Sequence, residues 1–228
     1  MLRHIMITVH HLENSRSQRV LWLLEELGLQ YDVIRYERDK ASSLAPPALK
    51  AVHPLGKSPV ITDDGQVIAE TGAIVEYLIE RYGNGRMIPP AGSPDRVRYT
   101  YWLHMAEGTA MPLLVMTLVF NRVETAAPWL VRPVAKAIAG QVRSTFLGPS
   151  LKGVLTYMEG ELGRSTWFAG EALTGADVMM SFPVEAAAVR ANLANDYPRL
   201  HAFLDRVHTR PAYRRALERG GPYHLLAS

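Results

Sequence analysis

Three groups of residues in this chain have the types and spacing to do chemistry. The first, Asn14-Ser15-Arg16-Ser17, falls where a short apolar run gives way to a helical one. Hydroxyl and amide side chains at such a junction cap a helix by accepting its free N–H groups, and Asn14, Ser15 or Ser17 can each do so. The second group is Lys57-Ser58-Pro59 followed by Glu70-Thr71 at the start of another apolar-periodic run. An acid and a hydroxyl at a helix N-terminus, beside a Ser-Pro strand entry, make a polar pocket able to hold a small zwitterionic peptide. The third is His4 with His10-His11. His4 and His10 can share a strand face, yet no further ligand lies at metal-binding spacing, so no metal site is expected.

The elements that must position these groups follow from periodicity. Ile5–Val9 is a short, nearly continuous apolar strand, as in a buried parallel sheet. Ser15–Leu27 repeats apolar residues at helical spacing (Val20, Leu23, Leu24, Leu27) and stops at Gly28. Tyr31–Tyr36 alternates as a second strand, completing a crossover unit with parallel strands. A short helical turn is expected within Lys40–Val52. Pro59 opens the next strand, where a proline is tolerated. Asp64-Gly65 between Val60-Ile61 and Val67-Ile68 marks a hairpin. Ile74, Val75, Leu78, Ile79 and Tyr82 then give a helix. The order is β-α-β-α-β-β-α.

Gly83-Asn84-Gly85, Pro89-Pro90, Gly92 and Pro94 form the clearest linker, and no convincing strand follows it. The predicted division is residues 1–84, a linker at 85–94, and an all-helical bundle domain over 95–228. Ser93-Pro94-Asp95 starts a helix expected to reach about Arg122 with a kink at Pro112. Segments near Leu130–Leu147 and Leu151–Leu162 follow, divided at Gly148-Pro149. Thr174 and Asp177 form a capping box, with Leu173 and Val178 as its staple. Pro183 is expected to bend that helix, and helices near Pro198–Thr209 and Pro211–Arg219 finish the chain.

Composition narrows the function. With 228 residues the chain can hold two cores. A net charge of +3 is small, and the arginines lie scattered among acids, so nucleic acid is not an expected partner. There is no cysteine, which excludes disulfides, thiolate metal sites and cysteine nucleophiles and fits a cytoplasmic home. The N-terminal apolar run is too short for a secretory signal, and Met111–Phe120 is about half a membrane span, so no membrane partner is expected.

The His53-Pro-Leu-Gly-Lys-Ser-Pro loop, the Asn-Ser-Arg start and the Gly175-Ala176-Asp177…Met180-Ser181-Phe182-Pro183 helix resemble those of bacterial and fungal glutathione transferases of the serine type. The resemblance runs from Ile5 to about Arg210 and implies a thioredoxin-like N-terminal domain before the helical one. It implies that a serine four residues before an arginine donates a hydrogen bond to the glutathione sulfur. Ser15 stands four before Arg19, with Ser17 and then Asn14 as alternatives. Lys57 matches the residue that reaches the glycyl carboxylate, and Ser58, before a cis Pro59, the residue whose main chain pairs with the cysteinyl part. Glu70 matches the acid facing the γ-glutamyl ammonium. Thr71, where the family more often has serine, matches the residue that binds the γ-glutamyl carboxylate. Tyr101, His104, Met105, Gly108 and Met111 match the helix lining the electrophile pocket. The implied reaction is attack of glutathione, a co-substrate with no metal needed, on a small hydrophobic electrophile by a detoxifying homodimer. A glutathione-dependent peroxidase, isomerase or dehalogenase, and a non-catalytic binding module, are the other readings.

The chemistry balances in magnitude. Moving a thiol pKa from ~8.5 to about 6.5 takes roughly 2.7 kcal/mol of preference for the thiolate. One hydrogen bond to the charged sulfur supplies ~1.5–3 kcal/mol, and a helix N-terminus about 0.3–1 more.

Overall fold

A computed structural model describes residues 7–40, 42, 44–189 and 193–223. His4 and the first two residues of the predicted strand lie outside them. The N-terminal sheet is built from β1 (Ile7–Leu12), β2 (Tyr31–Tyr36), β3 (Val60–Asp63) and β4 (Gln66–Ala69) in the order β2-β1-β3-β4. β1 runs parallel to β2, with Ile7 opposite Tyr31, and antiparallel to β3, with His10 opposite Val60. Asp64 and Gly65 both take positive φ (48° and 82°), the type I′ geometry their dipeptide encodes, and this sets the register of β3 on β4.

Helix α1 (Ser17–Leu27) is buried nearly all round, from Ser17 to Leu24 without a break. It lies between the sheet and the helical domain, packed on α3 (Thr71–Tyr82), α8 (Gly175–Ala188) and α11 (Pro211–Gly220). Each of its large apolar side chains so buried contributes about 1.5–3 kcal/mol. Gly28 ends it in the left-handed conformation, its N–H bonded to the Glu25 and Leu24 carbonyls. The short α2 (Pro47–Val52) precedes β3.

The helical domain departs from the sequence expectation at Gly148-Pro149, whereas at Pro112 the helix continues as expected, with a π turn just before the proline. The helix runs unbroken from Pro94 to Ala126 as α4 (Pro94–Met105), a π-helical turn (Ala106–Ala110) and α5 (Met111–Ala126). Likewise Gly148-Pro149 does not divide its helix. Here α6 (Arg132–Val142), a second π turn (Arg143–Leu147) and α7 (Gly148–Glu161) are continuous. In both cases the proline sits two residues after a π turn. A proline has no N–H and its ring collides with the carbonyl four residues back, and the wider i→i+5 turn moves that carbonyl away.

The joined helix Pro94–Ala126 is therefore long and apolar enough, by length and composition, to cross a membrane, although its apolar part taken alone was not. Only a third of its most apolar window is buried. Its first two-thirds belong to the core through Tyr99, Trp102, Leu103, Met105, Ala106, Ala110, Met111 and Leu114.

Helix α8 is the centre of the second domain and is buried from Gly175 to Ala187. Its start is the predicted capping box. Asp177 accepts from the Thr174 backbone and hydroxyl (2.8 and 2.9 Å) and from the Phe168 N–H (2.8 Å). Gly175 is required there, because a Cβ would lie 2.5 Å from Ile79 of α3. Pro183 is carried inside α8 without interrupting it. The short α9 (Leu193–Asp196), α10 (Pro198–His208) and α11 close the chain against α7, α8 and α1.

Candidate active site

The polar residues singled out in the sequence converge where β1, β3 and α3 meet. The Ser58–Pro59 peptide bond is cis. The Ser58 hydroxyl donates to the His10 carbonyl (3.0 Å) and accepts from the Leu12 N–H (3.3 Å), which ties the loop before β3 to β1. The Ser15 hydroxyl lies 3.4 Å from that of Ser58. A cavity of about 210 Å³ opens beside them, lined by Lys57, Ser58, Pro59, Glu70 and Thr71 together with Arg16, His53, Leu55, Ala69 and Glu107.

Glu70 has a φ of 72°, rare for a residue with a side chain and costing of order 1–3 kcal/mol. It precedes the first turn of α3, whose unpaired N–H groups offer an anion site. Behind that turn the Thr71 hydroxyl accepts from Arg19 (3.4 Å). The Arg19 side chain is almost wholly buried, and burial opposes its charge. Three things hold it: the Glu107 carboxylate, the Met179 carbonyl at 2.6 Å, and the ring face of Phe182 at 5.3 Å. Arg16 Nε also donates to both Glu107 oxygens (3.0 and 3.1 Å).

Glu107 is thus a half-buried anchor for Arg16, just before α1, and Arg19 within it. Its carboxylate, 34% exposed, borders two cavities. The second, about 450 Å³, is lined by Glu70, Gly72, Ala73, Glu76, Leu103, His104, Glu107, Gly108 and Met179. Of the five residues expected on the electrophile wall, His104 and Gly108 line this second cavity. The structure does not bring Tyr101, Met105 or Met111 to either cavity. Met105 and Met111 face the core, and Tyr101 packs edge-on against Trp102 and Tyr157. A π turn at Ala106–Ala110 interrupts the regular helical spacing along this stretch. Arg16, Glu107 and Met179 were missed as site residues. The charge of Arg16 inside the Ser-Arg-Ser run was the one signal available for them.

Among Asn14, Ser15 and Ser17, only Ser15 is near Ser58. Ser17 is fully buried and turned inward, bonded to His11 Nδ1 (2.8 Å) and near the Leu12 carbonyl (3.4 Å). Asn14 has positive φ (49°) and precedes the helix. Arg16 stands at the N-cap place and makes no side-chain cap bond, while the Ser15 hydroxyl accepts the N–H of Ser17, the first residue of α1 (3.3 Å). His10 is engaged by Tyr36 (2.9 Å), and among the described residues no group of three or more His, Asp or Glu is placed to hold a metal ion.

A four-stranded mixed sheet with a cis-proline loop facing a helix N-terminus, backed by a helical domain, defines a two-domain class of thioredoxin-like sheet joined to a helical bundle. The comparisons with known proteins specify it. The family models described as "Glutathione S-transferase, N-terminal domain" and "Glutathione S-transferase, C-terminal domain" match residues 5–80 and 148–211. Glutathione S-transferase 3 of Schizosaccharomyces pombe is 34% identical, over 94% of this chain and 88% of its own. Glutathione S-transferase 1 of Saccharomyces cerevisiae is 30% identical, over 93% and 94%. Among solved structures, a glutathione S-transferase of Actinobacillus pleuropneumoniae superposes with a TM-score of 0.76 at 33% identity, over 98% of this chain and 97% of the other. A sphingomonad glutathione S-transferase complexed with glutathione gives 0.71 at 25%, over 94% and 98%. The chain belongs to the glutathione S-transferase family and is a glutathione transferase.

Proposed function

We propose that this protein transfers glutathione to small hydrophobic electrophiles, with Ser15 donating the hydrogen bond that holds the sulfur as thiolate. In this reading Glu70 takes the γ-glutamyl ammonium, while Thr71 and the start of α3 take the γ-glutamyl carboxylate. The Ser58 main chain beside Pro59 pairs with the cysteinyl part, and Lys57 reaches the glycyl carboxylate. Residues 1–84 hold the tripeptide and 95–228 shape the electrophile pocket, with His104 and Gly108 on its wall. Glutathione is the only co-substrate. The enzyme acts in detoxification, as a homodimer in the cytoplasm.

The observation that carries this reading is the convergence of Lys57, Ser58, Pro59, Glu70 and Thr71 on one cavity, with Ser15 3.4 Å from Ser58. These residues are spread over more than fifty positions of sequence and come from three connecting segments and the first residue of α3. Holding the tripeptide there supplies the thiolate and places it beside the second cavity, and orientation of this kind lowers the barrier without any enzyme nucleophile.

The test is calorimetric titration with glutathione, followed by a paired assay on an aryl halide and an organic hydroperoxide. The wild type binds, and Glu70→Ala weakens binding on the order of 10- to 100-fold, the loss of one charge-assisted bond. Turnover of the aryl halide supports transfer. A wild type that does not bind glutathione removes this reading, and turnover of the hydroperoxide alone replaces transfer with peroxide reduction.

A further inference from the structure

Arg16 lines the first cavity, yet the placement of glutathione given above assigns it no part. It follows Ser15 in the chain and stands just before the first residue of α1. A guanidinium carries five N–H donors in one plane. Nε of Arg16 is engaged by the two Glu107 oxygens (3.0 and 3.1 Å), and the Phe182 ring lies 5.7 Å from Cζ. The N–H groups of Nη1 and Nη2 meet no hydrogen-bond partner among the described residues. The group is therefore held by one edge while its end-on pair of donors stays open, on a side chain 32% exposed.

This cluster also carries a surplus of charge. Arg16 and Arg19 share the single carboxylate of Glu107, and arginine stays protonated, so one positive charge is left over. In the proposed complex Lys57 and the start of α3 answer the two tripeptide carboxylates, and Glu70 answers the ammonium. Ser15 bonds the thiolate, whose charge leaves the sulfur once the new bond forms. Of the acids around the second cavity, Glu107 is held by the arginines and Glu70 by the ammonium, while Glu76 lies exposed on α3, where water and salt screen it.

Glu107 fixes where the surplus sits. It and Glu70 line both cavities, so the tether draws the Arg16 guanidinium toward the side on which an electrophile meets the sulfur. A carboxylate is the anion whose two oxygens match a planar pair of guanidinium donors.

We propose that Arg16 selects electrophiles that carry a carboxylate, pairing with that group while the apolar body of the molecule lies against Leu103 and Met179. The inference rests on the transferase reading and adds a substrate class to it. The carboxylate is bound and does not react. On an aryl chloride the thiolate sulfur bonds the ring carbon, chloride leaves with its electron pair, and Arg16 keeps the carboxylate of the ring throughout.

The test is steady-state kinetics at saturating glutathione on 4-chloro-3-nitrobenzoate and on its neutral amide, 4-chloro-3-nitrobenzamide. Each kcat/KM is divided by the rate constant of the same halide with glutathione in the absence of enzyme, which removes the difference in intrinsic reactivity. The wild type is expected to prefer the acid on the order of 10- to 100-fold, the range of one charge-assisted pair. In Arg16→Gln the preference is expected to fall to about one, and Arg16→Lys, which keeps the charge and loses the fork, is expected to retain part of it. The preference is a ratio measured within one preparation, so a variant that folds only in part still reports it. A preference that survives in Arg16→Gln overturns the proposal. So does an Arg16→Gln variant that slows both halides equally while raising the pKa of the bound thiol, since Arg16 then serves the sulfur. A wild type that binds glutathione and turns over both halides without preference refutes this inference alone. One that binds no glutathione, or turns over neither halide, refutes the transferase reading and this inference with it.

Discussion

Ser15 and Ser17 are two residues apart, carry the same hydroxyl, and are both buried, yet their surroundings differ in kind. Ser17 points into the domain toward His11 and the Leu12 carbonyl, while Ser15 hydrogen-bonds Ser58, a residue of the cavity wall. A hydroxyl that must reach an incoming sulfur needs the second environment. The ultraviolet absorbance of bound glutathione should accordingly show the thiolate appearing below pH 8 in the wild type. In Ser15→Ala that transition should move up by about 1–2 pH units, the ~1.5–3 kcal/mol of one hydrogen bond to a charged group. An unmoved transition in Ser15→Ala, with a shift in Asn14→Ala instead, would transfer the role to the amide. Sequence alone left the three candidates open because each satisfies a helix-cap pattern, and orientation toward or away from the core is settled by packing. Glu107 was hidden for a related reason. Its bond to Arg19 joins residues 88 apart, and only the π turn aims it at the cleft.

Elements whose signals are local were legible throughout. The Asp64-Gly65 hairpin, the Gly28 stop of α1 and the Thr174–Asp177 cap each depend on a few neighbouring residues, and each forms as read. The capping box has a consequence for stability. Asp177 is fully buried, and that burial raises its pKa to about 6 from the ordinary value of 3.8, against the pull of the bonds from Phe168 and Thr174. A carboxyl with a raised folded-state pKa favours the folded state most when protonated in both states. Its contribution is therefore full below about pH 4 and is lost as pH rises through about 6. Urea denaturation of wild type and Asp177→Asn at pH 4 and pH 7 isolates it. The stability difference, wild type minus variant, should fall by up to roughly 3 kcal/mol between the two values, two pKa units' worth. A difference that stays level or grows would mean the three hydrogen bonds outweigh burial. What the local signals could not supply was continuity at Pro149. Proline reads as a break, and whether a π turn absorbs it depends on a long helix being held along its length by α8 and its neighbours.

At the scale of the molecule, the core stops short of the far end of the α5–α6 hairpin. Leu114 is the last residue of α5 in the main apolar cluster. Beyond it Leu118, Val119, Val123, Leu130 and Ile138 are each about half exposed or more, and Trp129 is 76% exposed. Large apolar side chains exposed together on one hairpin suit a contact face. Length and composition alone would also suit a bilayer, but the half of Pro94–Ala126 nearest the cleft is committed to the protein core. A second copy of the chain, meeting this face about a two-fold axis, is the occupant that the proposed homodimer supplies, since an isologous contact places apolar on apolar. Sedimentation equilibrium should then return twice the 25.4 kDa of the chain. Val119→Glu combined with Ile138→Glu should return the single-chain mass with an unchanged far-ultraviolet circular dichroism spectrum. Glutathione binding should persist in that variant, because Lys57, Ser58, Glu70 and Thr71 all come from one chain. A dimer indifferent to both changes puts the two-fold axis on another face, and a wild type that sediments at 25.4 kDa while its Trp129 fluorescence shifts on anionic vesicles gives the face to lipid instead.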